Sequence, residues 1–378
     1  MKVVGLFAGI GGIELGLSKA GHETLLLCEN DPSASAVLGT RFPAIPLVED
    51  VRDVEELPRG TDLVAAGFPC QDLSQAGDTR GIAGAKSGLV GEVFRLLRGQ
   101  RAPWVLLENV PFMLQLSRGA AMDYIVSRFE QLGYRWAYRV VDTRAFGLPQ
   151  RRERVFFLAS LEEDPASRLF RGSHEPIDDQ QHEGRACGFY WTEGVRGLGW
   201  AVGATPTIKG GSTVGIPSPP GIWLPDGRIV TPDIRDAERL QGFPVDWTKP
   251  AERVGRSSFR WKLVGNAVTV RVAKWVGERL AAPRDERPWG IPGRAVTRPW
   301  PRAAFGDAEH GRFAADLTTW PVSAKQNPLE DFLRYEPREL SHRATSGFER
   351  RLSSSTLRAP EEFRAALRKH ILRMTEAT

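Results

Sequence analysis

Leu63-Val64-Ala65-Ala66-Gly67-Phe68-Pro69-Cys70-Gln71-Asp72-Leu73-Ser74 is the stretch on which the fold turns. The unbroken apolar run reads as a short buried strand, and the glycine and proline after it end that strand in a turn. The turn delivers one cysteine to the strand's carboxyl end, where open α/β sheets gather their ligands. A lone cysteine near a strand end is more often inert packing than a nucleophile. Pro69 fixes the entry to the turn, and polar Gln71 and Ser74 follow where a core would want apolar groups, so the balance shifts toward chemistry.

Working outward, five more apolar runs flank this one: Lys2–Phe7, Thr24–Cys28, Trp104–Leu107, Arg135–Val141 and Arg154–Ala159. Segments with apolar residues at helical spacing lie between them, over Ile13–Ala20, Ala34–Thr40, Gly91–Arg98 and Ala121–Leu132. Strands alternating with helices predict an α/β fold with a mostly parallel sheet covered on both faces. The alternation stops after Ser160. Residues 161 to about 229 hold glycines, prolines and scattered aromatics, and predict a smaller, loop- and β-rich domain. Helical patterns return at Asp233–Gln241 and Ala267–Leu280. From Ala281 onward prolines punctuate a linker, and Pro360–Thr375 reads as an amphipathic helix with Phe363, Leu367, Ile371 and Met374 on one face. The expected domains are 1–160, 161–263, a return to the first domain over 264–282, and a C-terminal extension over 283–378.

A chain of 378 residues with 41% apolar content can bury more than one core. Its net charge of +5 permits nucleic-acid binding without establishing it. Three widely spaced cysteines and six histidines without ligand spacing predict neither a disulfide framework nor a metal site. No secretory signal stretch and no membrane-length apolar run stand out, so the expected compartment is the cytoplasm.

Several groups carry the chemistry. Leu6-Phe7-Ala8-Gly9-Ile10-Gly11-Gly12 follows the first strand and opens a helix, and its glycines let backbone approach a ligand closely. Its spacing departs from the Gly-x-Gly-x-x-Gly fingerprint, which argues against a nicotinamide enzyme. Glu29 ends the second strand, where an acid can accept from both ribose hydroxyls of an adenosine-containing cofactor. Asp31 beside it reads as a helix cap, with Pro32 at the first helical position. Asp50 either accepts an adenine amino group or is a surface acid. Glu108, in Glu108-Asn109-Val110, ends another buried run, where a carboxylate is costly unless paired or functional. Gln150-Arg151-Arg152-Glu153-Arg154 precedes a strand and reads as a charge run or as inward-pointing arginines.

In this order, with Arg239-Leu240-Gln241-Gly242-Phe243-Pro244 and Gly265-Asn266-Ala267-Val268 further on, these pieces resemble the DNA (cytosine-5) methyltransferases of bacterial type over residues 1 to about 282. The resemblance implies a class I S-adenosylmethionine-dependent, Rossmann-like catalytic domain, a target-recognition domain, and a tail beyond the family's usual end. It implies that Phe7, Gly9, Gly11, Glu29, Asp50, Leu89, Asn266 and Val268 surround S-adenosyl-L-methionine, and that Cys70, Glu108, Arg152 and Arg154 are catalytic. Gln71 and Ser74, in a loop that closes over DNA, and Thr207, Lys209 and Gly210, in the recognition block, would contact DNA. Gly5 stands where many members carry an acid, and Lys86 where arginine is common.

The chemistry explains these residue types. Thiolate addition at carbon 6 of cytosine pushes electron density onto carbon 5, which then takes a methyl group. A protonated Glu108 at ring nitrogen 3 stabilises the developing charge. The base must first leave the stacked duplex. The expected partner is double-stranded DNA, with a cognate restriction endonuclease or another defence protein acting at the same site. Two other readings compete: a transfer-RNA cytosine-5 methyltransferase of the same fold, and a non-catalytic DNA-binding regulator. For the tail, a packed helical appendage is the favoured reading. A DNA clamp built on Arg350, Arg351, Arg364, Arg368 and Lys369 is the sharper one.

Overall fold

The computed structural model describes residues 1–69, 88–178, 181–193, 197–211, 217–283 and 294–376. In chain order the strands are β1 (Lys2–Leu6), β2 (Glu23–Cys28), β3 (Leu47–Val48), β4 (Leu63–Ala66), β5 (Trp104–Asn109), β6 (Arg135–Asp142), β7 (Gln150–Arg151) and β8 (Glu153–Ser160). They continue with β9 (Cys187–Phe189), β10 (Ala201–Val202), β11 (Thr205–Pro206), β12 (Gly221–Trp223), β13 (Ile229–Thr231), β14 (Ala303–Asp307), β15 (Gly311–Ala314) and β16 (Arg338–Glu339). Two compact units share the chain. The first takes Met1–Ala145, Glu153–Pro176 and Ala267–Ser323; the second takes Phe146–Arg152, Ile177–Asn266 and Ala324–Thr378.

The first unit is built on a nine-stranded sheet in the order β15-β14-β6-β8-β5-β4-β1-β2-β3. Strands β1 to β5 are mutually parallel, and β8 runs antiparallel between β5 and β6. The chain winds outward from β1 through β2 and β3, then crosses back to β4 on the other side. The carboxyl ends of β1 and β4 therefore flank the topological switch point, where such sheets bind ligands. Register aligns that edge: Leu6 lies opposite both Cys28 and Ala66, and Ala66 opposite Leu107. The next residues along, Phe7, Glu29, Gly67 and Glu108, consequently emerge in one row. The helix Gly12–Lys19 follows β1 and packs against Val270–Ala281 through Gly16, where a Cβ would stand 2.7 Å from the Val270 carbonyl oxygen.

The tail departs from the sequence expectation of a linker and a helical appendage. Residues 303–314 form an antiparallel hairpin that extends the main sheet beyond β6. Trp300 is buried edge-on to Trp136, with ring centroids 6.0 Å apart. Buried Arg139 donates from Nη2 to the Thr318 carbonyl at 2.7 Å and from Nη1 to the Gly172 carbonyl at 2.7 Å, tying the following segment to the same unit. Short strands rich in alanine and glycine gave no period-2 signal. Gly306 is required, since a Cβ there would stand 2.1 Å from the Gly311 carbonyl oxygen.

The second unit has an antiparallel sheet in the order β10-β9-β12-β13-β16, and β7 pairs in parallel with β11. Here too the tail is integral. Strand β16 and the helices His342–Ser353 and Glu361–Glu376 complete a core of Phe189, Ile229, Leu340, Phe348, Phe363 and Leu367. Against the expected 161–263, the unit gains 146–152, 264–266 and 324–378 and gives up 161–176. Of the apolar face expected on the last helix, Phe363 and Leu367 are buried, and His370 joins them by bonding the Leu340 carbonyl at 2.8 Å. Two of the arginines considered as a DNA clamp serve the unit's own backbone: Arg351 donates to the Trp191 carbonyl and Arg364 to the Leu357 carbonyl. No described helix is long and apolar enough to cross a membrane.

Candidate active site

In the turn after β1, Phe7, Gly9 and Gly11 all have left-handed backbone, with φ of 55°, 56° and 80°. A phenylalanine there carries strain of about 1–3 kcal/mol, which the surroundings must enforce. The Ala8 amide donates to the Cys28 carbonyl at 3.0 Å, stitching the turn to the end of β2. The Gly9 amide donates to Glu29 Oε2 at 2.7 Å, and the Asp31 amide to Glu29 Oε1 at 2.8 Å. Burial pushes the Glu29 carboxyl up, and those amides work against it. Asp31 caps the helix Pro32–Arg41, accepting from the Ser33 and Ala34 amides with Pro32 at the first position. Each Glu29 oxygen keeps a lone pair after its amide contact. Among the described residues, a Cβ on Gly9 would meet no atom within 4 Å, so on that side they leave the turn open.

Asp50 caps a short 3-10 turn, and both of its oxygens accept from the Arg52 guanidinium. Those bonds hold its carboxyl at about 2, so it is an anion at any physiological pH. Leu89 starts the helix Val90–Gly99, half-buried against the main core. A Cβ on Gly67 would lie 3.7 Å from Glu108 Oε2, 3.8 Å from Val268 and 3.9 Å from the Phe7 carbonyl oxygen. The missing side chain leaves a gap among three expected site residues. An acceptor at the end of β2, an open glycine turn at the end of β1 and this gap together fit an adenosine-bearing cofactor.

Beside that cradle, Glu108 is only 7% exposed at the end of β5. Arg154, on neighbouring β8, places Nε 3.1 Å from Glu108 Oε1. Asn109 turns the other way and donates from Nδ2 to the Phe68 carbonyl at 2.9 Å. That bond fixes the backbone leading into Pro69. Cys70, Gln71 and Ser74 lie outside the described residues. The other two cysteines, Cys28 and Cys187, are buried thiols pushed up to about 12 by burial, so neither is a thiolate at neutral pH.

The remaining expected residues belong to the second unit. Arg152 is buried and donates to the Ile208 carbonyl at 3.4 Å. Thr207 donates from Oγ1 to the Arg151 carbonyl at 2.9 Å, and its own carbonyl accepts from the Tyr190 hydroxyl at 2.8 Å. Lys209 pairs with Glu193 at 2.8 Å and lies 4.1 Å over the Tyr190 ring. Gly210 approaches Asn266, whose Oδ1 is 3.0 Å from where a Gly210 Cβ would be. Gly265 permits that approach, since its own Cβ would stand 2.4 Å from the Gly210 nitrogen.

A mostly parallel sheet in which β8 and β14 are reversed, a glycine turn after β1 and an acid after β2 define a class I S-adenosylmethionine-dependent methyltransferase. Residues 1–187 match the family model of the C-5 cytosine-specific DNA methylases. The chain is 51% identical to Type II methyltransferase M2.BsuMI of Bacillus subtilis over 361 residues, covering 92% of each. It is 28% identical to Type II methyltransferase M.NlaX of Neisseria lactamica, covering 74% of this chain and 96% of that one. The methyltransferase EhMeth of Entamoeba histolytica shares the fold, with a TM-score of 0.50 at 14% identity over 74% of this chain and 97% of that one. The chain belongs to the C-5 cytosine-specific DNA methylases: it is a DNA cytosine-5 methyltransferase whose methyl donor is S-adenosyl-L-methionine.

Glu14, fully buried in the first turn of the helix Gly12–Lys19, escaped the sequence reading. One acid in the first turn of an amphipathic helix looks like an ordinary N-terminal acid. The signal that would have found it is Gly5, a glycine in the middle of a buried strand, which marks a close approach.

Proposed function

We propose that the protein methylates a flipped cytosine within one short duplex sequence, using Cys70 as the nucleophile, as the modification partner of a restriction endonuclease. The observation that carries this reading is the convergence at the carboxyl edge of β4 and β5. The Glu108–Arg154 pair and the Asn109 tether on Phe68 meet there, one strand from the Glu29–Gly9 cradle.

Cys70 Sγ adds to carbon 6 of the cytosine, and carbon 5 becomes the nucleophile. Bound S-adenosylmethionine supplies an electrophilic methyl group. Glu108 bonds ring nitrogen 3 and the exocyclic amine, sharing a proton with nitrogen 3 as charge develops. Arg154 orients that carboxylate, and Arg152 with Arg154 takes the O2 side of the base. A solvent water takes the carbon 5 proton, and the released electron pair expels the Cys70 thiolate from carbon 6 and restores the aromatic ring. Phe7, Gly9, Gly11, Glu29, Asp50, Leu89, Asn266 and Val268 are assigned to the cofactor. Gln71, Ser74, Thr207, Lys209 and Gly210 are assigned to the DNA. The restriction–modification role is supported by M2.BsuMI, a Type II methyltransferase that matches along 92% of both chains.

The test is expression in a host that lacks cytosine methylation, followed by bisulfite sequencing of genomic DNA and transfer RNA. The expected result is 5-methylcytosine at one short DNA motif, absent with Cys70→Ser. Methylation confined to RNA, or retained by Cys70→Ser, would reject the substrate or the covalent step respectively.

A further inference from the structure

The Gly12–Lys19 helix carries an acid that the steps above leave unused. Glu14 lies on its first turn, fully buried, and neither carboxyl oxygen has a hydrogen-bond partner among the described residues. A sealed, unpartnered carboxyl is expensive and calls for a reason. The chain makes room for it deliberately. Gly5, inside β1, has no side chain where a Cβ would stand 2.2 Å from Glu14 Oε1. A glycine weakens a strand interior. Two locally unfavourable choices, nine residues apart, thus accommodate each other. They place the carboxyl against β1 two residues before Phe7, behind the turn assigned to the cofactor.

The charged surroundings are sparse. Burial pushes the Glu14 carboxyl up to about 7, opposed by its own backbone amide and reinforced to a lesser degree by Glu29, just past β2. The packed helix Val270–Ala281 presents Ala273 at Gly16 and keeps Lys274 paired with Glu278 at its surface, with Arg271 exposed. His22, past the far end of the Glu14 helix, bonds the Gly277 carbonyl at 2.9 Å. Lys2 begins β1 at the opposite edge of the sheet from the turn.

We propose that Glu14 is a charge-sensing positioning residue behind the cofactor turn, which makes the enzyme hold positively charged S-adenosylmethionine in preference to its product. Methyl transfer moves the methyl to the base and leaves S-adenosylhomocysteine, whose sulfur is a neutral thioether. A nearby positive charge favours an ionised carboxyl, and so does the amino end of the helix that carries it. In a water-excluded site such an interaction is weakly screened. Glu14 therefore releases its proton when the sulfonium arrives and regains it when the charge has gone, which weakens the grip on product. The inference rests on the cofactor placement proposed above.

The test is calorimetric titration of the full chain with each cofactor at pH 7, in two buffers of different ionisation enthalpy. Binding of S-adenosylmethionine should release a fraction of a proton that S-adenosylhomocysteine does not. Glu14→Gln should abolish that difference and lower the substrate-to-product affinity ratio about tenfold, the equivalent of one pKa unit of coupling. Glu14→Met, of similar length, gives a second background in which the same loss is expected. Wild-type proton release and affinity ratio in the folded variants would overturn the proposal, as would equal release for the two ligands in the wild type. Glu29→Ala separates the two readings. If it leaves both affinities unchanged, the cofactor placement fails. If it abolishes binding while Glu14→Gln keeps the wild-type ratio, only the charge-sensing role fails.

Discussion

At the scale of single residues, Glu14 and Asn109 make predictions that differ in kind. The Glu14 carboxyl is raised to about 7 in the folded chain from an ordinary value of 4.5. The native state thus binds the extra proton, and stability falls as pH rises between those values. Glu14→Gln removes that loss. It should melt higher than the wild type at pH 8 and coincide with it near pH 5, a gap on the order of 3 kcal/mol in urea unfolding. Asn109→Ala instead frees the Phe68 carbonyl and the backbone leading toward Cys70, the proposed nucleophile. Single-turnover methylation should slow about 10- to 100-fold, as expected when a positioned reactive group is loosened, while DNA affinity changes little. Buried Cys28 and Cys187 should resist alkylation at neutral pH in the folded protein, checked by mass spectrometry. The positions of Glu29 and Glu108 at strand ends were legible because each acid follows an unbroken apolar run. Glu14 was hidden because its meaning depends on Gly5, and no local pattern joins a strand glycine to a helix acid.

At the scale of elements, the α/β alternation through residue 160 was readable because each strand is an unbroken apolar run and each helix has its own period. The observed β1, β2, β4, β5, β6 and β8 fall within two residues of the runs read from sequence. Two-residue β3, the short strands of the second unit and the β14–β15 hairpin gave no such signal, because their pairing is decided by distant partners. Arg139 tests the hairpin's anchorage. Arg139→Met would remove the donor from the Thr318 and Gly172 carbonyls, both partly open to solvent, at about 0.5–1.5 kcal/mol for each hydrogen bond lost. Chemical denaturation should show a loss of at least that size. Gly265→Ala tests the segment proposed to contact DNA, since its Cβ would collide with backbone at Lys209 and Gly210. Binding to a methylatable duplex should weaken about tenfold or more, equivalent to a shift of roughly 1.4 kcal/mol, measured by fluorescence anisotropy.

At the scale of the whole molecule, both units recruit the tail: residues 294–323 extend the large sheet, and 324–376 close the core around Phe189 and Phe363. Ending the chain at Pro283 should therefore yield no soluble folded protein, as judged by circular dichroism and limited proteolysis. A folded, cofactor-binding truncation would return the tail to the status of an appendage. The tail also bears on how the enzyme is made. Ribosomes release a chain from its amino end, and domains ordinarily fold as they emerge. Here the large sheet waits for residues 303–314, and the second core waits for residues 338–376. Chains released before those segments should be inactive, so in a translation time course DNA-marking capacity should appear only after both have been made.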